Sequence, residues 1–171
     1  MTDAAAARLA RLVSQKTEAE LRAVLPAGRV APTGTAPADV LLIKGVAGAQ
    51  DVSLGTALAG EDGEAAHKAL SALGWDTSSF AICTREGETV VLGPESLAVV
   101  VEAVDPDLVL ALDGVAAADV GTALGIETLR AGEPVRVAGR IVLAIDGLEA
   151  SLVDEDGKLR VWRQLKSVRR G

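Results

Sequence analysis

The residues of this chain best suited to chemistry are two carboxylates, one in a loop and one at the end of an apolar run. Asp51 is the only acid between residues 45 and 55, in a glycine-rich passage. A carboxylate there could take a proton from water as a general base; its more ordinary role is that of a solvated loop residue. Asp146 follows the apolar run 141–145. Sites in open α/β sheets gather at such strand ends, so Asp146 is a candidate ligand contact, with a plain turn residue as the alternative. The single histidine, His67, lies between Ala66 and Lys68 in a helical stretch and reads as partly exposed and structural. Cys83 sits in an apolar run, where a free cysteine is ordinarily a small buried filler. No second Cys or His lies near it in sequence, which argues against a metal site. Lys158, Arg160, Arg163 and Lys166, with Arg169 and Arg170 beyond them, could contact phosphates. The ordinary reading of such a run is a solvated helix face and tail. Trp162, at helical spacing with Leu165, reads as core rather than as a base-stacking platform.

These side chains have to be positioned by a chain of 171 residues, enough for one domain with a real core. Apolar residues make up 49% of it, yet no run approaches the roughly 20 residues of a membrane span. The Ala-rich start carries Arg8 and Arg11 and no apolar block before a cleavage-like site, so a secretory signal is not expected. One cysteine excludes an internal disulfide and fits a reducing, cytoplasmic setting. Two Trp, one Phe and no Tyr leave the core to Val, Leu, Ile and Ala. The net charge is −7 and uneven: from Lys158 onward there are six basic residues and no acid, while the preceding 157 residues hold 11 basic against 24 acidic. An acidic body of that kind repels phosphates and disfavours nucleic acid.

Periodicity then supplies the elements. Leu9, Leu12 and Val13 predict a helix over residues 3–14, and Thr17-Glu18-Ala19-Glu20 resembles a capping box that opens a second, short helix. Residues 1–25 are therefore read as N-terminal helices, 26–37 as a Pro/Gly-rich connection, and 38–168 as an α/β core. Val40-Leu41-Leu42-Ile43 is a continuous apolar run, the mark of a strand buried on both faces. A glycine-rich loop is expected over 45–63, then a helix to Leu73 stopped by Gly74, and a strand over 79–84. A helix over 94–103, a strand over 108–112 and a helix over 116–124 follow. A short strand at Arg136 and Val137, a strand over 141–145 and an amphipathic helix over 158–168 complete the order. Strands alternating with helices argue for a three-layer α/β/α fold around a mostly parallel, four-stranded sheet.

The passage Ala38-Asp39-Val40-Leu41-Leu42-Ile43-Lys44-Gly45-Val46-Ala47-Gly48 resembles the first motif of the uracil-DNA glycosylase superfamily, most closely its iron–sulfur branch. Gly55, Gly60 and Gly63 keep the spacing of that family's next loop. The stretch 105–112 resembles its third strand, and Trp162-Arg163-Gln164-Leu165-Lys166 its closing helix. The resemblance spans residues 21–168 and implies a uracil-DNA glycosylase-like fold. It implies in equal measure that the chemistry is gone. The family's water-handling acid falls on Gly45, its base-stacking Phe on Leu58, and its uracil-reading Asn on Thr84, or one residue earlier on Cys83. Its His-Pro-Ser loop is replaced by Ala144-Ile145-Asp146-Gly147-Leu148, without His or Pro. By motif position Gly45, Gly48, Leu58 and Thr84 would line any ligand site. An iron–sulfur cluster needs four thiolates, which Cys83 alone cannot supply, so no cofactor is expected.

Three functions follow. The leading one is a non-catalytic uracil-DNA glycosylase-like protein that binds a protein or small molecule. A divergent glycosylase or nucleobase hydrolase with a site rebuilt on Asp51 or Asp146 is the enzyme alternative. A nucleic-acid-binding module using the basic C-terminal helix is the third. Composition leaves the oligomeric state and the interface open.

Overall fold

A computed structural model describes residues 3–171. Four strands form the parallel heart of the sheet: β2 (Val40–Val46), β3 (Ser79–Glu86), β5 (Leu108–Ala111) and β7 (Arg140–Ala144). Each has an apolar centre buried on both faces, as expected for strands covered by helices on either side. Three short antiparallel strands extend this heart: β1 (Thr33–Gly34) and β4 (Thr89–Val90) pair with β3, and β6 (Val135–Val137) pairs with β7. The sheet therefore has seven strands rather than four, in the order β1-β3-β2-β5-β7-β6 with β4 also on β3. β1 and β4, at two residues each, are too short to show a periodicity and exist only because β3 offers them an edge.

The side chains of successive residues on a strand alternate between faces, and the core divides accordingly. Leu41 and Ile43 face a cluster with Leu97, Val100 and Val104 of α4 (Pro94–Val104) and Ala116 and Val120 of α5 (Gly114–Leu124). Val40 and Leu42 face the other side. There they meet Ala66 and Leu70 of α3 (Glu61–Ala72), Leu148 of α6 (Leu148–Ser151), and Val161 and Leu165 of α7 (Glu155–Leu165). A 3-10 turn over Lys166–Val168 continues α7. Trp75 closes this side: its indole N–H donates to the Val168 carbonyl at 2.8 Å, and the Arg170 guanidinium stacks on its ring at 3.9 Å.

Two expectations from the sequence are corrected. Residues 3–24 form one helix, α1 (Asp3–Val24), not two. A capping Thr must leave helical geometry, but no Gly or Pro precedes Thr17. The helix runs through it, with Thr17 turned inward and buried. The 45–63 passage is not all loop either: Gly48 precedes a helix, α2 (Ala49–Leu54), which Gly55 ends in the left-handed conformation. No helix among the described residues is long and apolar enough to cross a membrane.

Candidate functional site

The connections of the sheet single out one place. From β2 the chain moves outward to β3, then crosses back over β2 to reach β5 and continues to β7. The direction of winding reverses between β2 and β5. In open α/β sheets, ligands bind outside the carboxyl ends of the strands at that reversal. A cleft of about 480 Å³ lies there, bordered by Lys44 and Val46 at the end of β2, Asp113 after β5, and Asp146 and Glu149 after β7.

Lys44 is the centre of the site and the residue that sequence reasoning passed over. It shares a strand face with Val40 and Leu42, so its side chain enters the layer between the sheet and α2 and α3. Only 4% of it is exposed. Its ammonium donates to Asp51 Oδ2 and Asp62 Oδ2, both at 2.7 Å, and lies 3.0 Å from Glu149 Oε2 at the surface. An ammonium has three donors, and all three are engaged. Burial pulls its pKa down, but the three carboxylates outweigh that and hold it above the ordinary lysine value.

Asp51 is buried to 1% exposure, which corrects its reading as a solvated loop carboxylate. It sits on α2 and reaches back: Oδ2 also accepts from the Gly48 N–H at 2.8 Å, and Oδ1 from the Ala59 N–H at 3.0 Å. Burial pushes its pKa up, but the bond to Lys44 and the two backbone donors bring it below the ordinary aspartate range. It therefore ties the two ends of the loop together. Asp62, on α3, accepts the second ammonium hydrogen bond at Oδ2 and accepts from the Gly63 N–H at Oδ1, at 2.9 Å. A cation closing an apolar strand, with acids 7 and 18 residues on, was the available signal. It was weak, because nothing local says that such a lysine points inward.

The motif glycines and their neighbours have steric roles. The Gly45 N–H donates to Asp113 Oδ2 at 2.9 Å, and a β-carbon there would come within 2.6 Å of Asp113 Oδ1 and Val115 Cβ. Gly48 passes over the Lys44 ammonium, which would lie 2.9 Å from an added β-carbon. Leu58 is buried with a left-handed φ of 54°, and its carbonyl presses against Gly63, where any side chain would collide with it. Thr84 is fully buried; its hydroxyl lies 2.7 Å from Asp119 Oδ2 and 3.2 Å from the Gly45 carbonyl. The same Asp119 pairs with Arg85 at 2.8 Å.

Asp113 serves two elements at once. Its side chain caps α5 by accepting from the Ala116 N–H at 2.8 Å while holding Gly45. Asp113→Ala is expected to lower stability by about 2 kcal/mol, the sum of a lost cap and a stranded backbone donor. Urea denaturation measures it, and a change within experimental error would show that water replaces both bonds.

The remaining candidates lie apart from this cluster. Asp146 borders the cleft but is exposed and exchanges hydrogen bonds with Gln164 of α7: its N–H donates at 3.0 Å and its Oδ2 accepts at 2.8 Å. Asp51 does not border the cleft, so the two carboxylates do not converge on one opening. His67 sits within 2.7 Å of the Gly63 carbonyl and 3.2 Å of Ser79 Oγ. Cys83 is half-buried, and burial, with the negative charge of Asp51, pushes its thiol up to about 12. It is no nucleophile at neutral pH. Lys158 pairs with Glu155 at 3.1 Å, whereas Arg160, Arg163 and Lys166 stand exposed without an ion pair among the described residues. Among those residues no group of three or more His, Cys, Asp or Glu is placed to hold a metal.

Chemically, the cluster contains no free base and no free cation. Its groups neutralise one another, and the cleft beside it is bordered by four carboxylates (Asp62, Asp113, Asp146 and Glu149) against one ammonium. Comparison with protein-family models and with curated proteins gives no match.

Proposed function

We propose that this chain is a non-catalytic protein on a uracil-DNA glycosylase-like scaffold that acts by binding a protein or a small molecule. The observation that carries this reading is the Lys44–Asp51–Asp62 network beneath the 48–59 loop. A glycosylase on this scaffold would hold a flipped base near that loop, beside a group that handles water and donors that stabilise the leaving anion. The buried groups here are bonded to one another instead. The position of the family's acid, Gly45, has no room for a side chain. The negative border of the adjacent cleft further favours a partner without phosphate.

The test is uracil release from single- and double-stranded uracil-containing DNA, with binding to the same strands at low salt. Neither release above the no-protein background nor binding is expected. Release overturns the reading, and its loss in Asp51→Asn would hand the chemistry to that carboxylate. Binding that falls steeply with salt would favour the basic C-terminal helix instead.

A further inference from the structure

We draw no further inference here: the strongest candidate, the apolar groove between α3 and α7, has a rim on which Glu61 and Glu64 offset Lys68 and Lys158, and nothing in the structure shows what covers it.

Discussion

Lys44→Ala is expected to lower folding stability by about 3–5 kcal/mol, the cost of removing one partner from a buried ion pair. The substitution leaves Asp51 and Asp62 buried within a low-dielectric layer without the ammonium that both of them bond at 2.7 Å. The loss of the lysine stem is the smaller part; the stranded carboxylates are the larger. Lys44→Met combined with Asp51→Asn and Asp62→Asn should recover much of the deficit, because a neutral, well-packed replacement of a buried ionic cluster is often tolerated. Urea denaturation of the parent, Lys44→Ala and the triple variant measures both effects. A Lys44→Ala protein within about 1 kcal/mol of the parent would mean that water enters and solvates the site.

The pH dependence of the same pair has a defined sign. The Asp51 carboxyl is held below its ordinary value, so its contribution is present above the unfolded-state pKa of about 4 and is lost as pH falls through the folded-state value. Lys44 is held above its ordinary value, so its contribution is complete below an unfolded-state pKa of about 10.4 and is lost as pH rises toward the folded-state value. The parent network is intact between those limits. In Lys44→Ala the logic inverts at the acid end, because buried carboxylates without a cation favour the protonated form. Its deficit should shrink as pH drops from 7 toward 5, over a range in which the parent is unchanged. Parallel stability curves for the two proteins would contradict this account of the cluster.

Gly45→Glu, which returns an acid to the position where the resemblance expects one, should cost about 3 kcal/mol and produce no uracil release. The added β-carbon would stand 2.6 Å from Asp113 Oδ1 and from Val115 Cβ. Either the cap of α5 or the end of β2 must move, and the new carboxylate would face the Asp113 carboxylate across the gap. Since the collision arises at the β-carbon, Gly45→Ala should already produce most of the loss. Denaturation midpoints separate the two substitutions. A neutral Gly45→Ala would show that the loop after β2 gives way easily, and that electrostatics alone excludes the acid.

Taken together, these substitutions describe a site that is stable because its charges are spent internally. The parts that shape it are backbone parts: the close pass of Gly48 over Lys44, the Leu58 carbonyl against Gly63, and the grip of Asp113 on Gly45. Such a site suits recognition by shape and charge more than proton transfer, which needs a group free to change its protonation near neutral pH.

Much of the layer order could be read directly from the chain. Val40–Ile43, 108–112 and 141–145 are unbroken apolar runs because each strand is covered on both faces, and that double burial leaves a composition no loop would carry. Gly74 and Gly125 marked helix ends because both adopt left-handed φ, at 84° and 68°. The absence of a histidine loop and of a cluster-forming cysteine set was equally plain, since missing side chains need no geometry to establish. Three things were decided only by the tertiary structure. β1 and β4 form where the edge of β3 offers hydrogen bonds, which no two-residue pattern can announce. Thr17 stays helical because a buried face holds it there, although its local sequence matches a cap. Above all, the inward turn of Lys44 depends on Asp51, Asp62 and Glu149, brought from α2, α3 and α6. A charged residue is exposed or buried according to whether partners arrive to replace its water, and only the folded chain brings them.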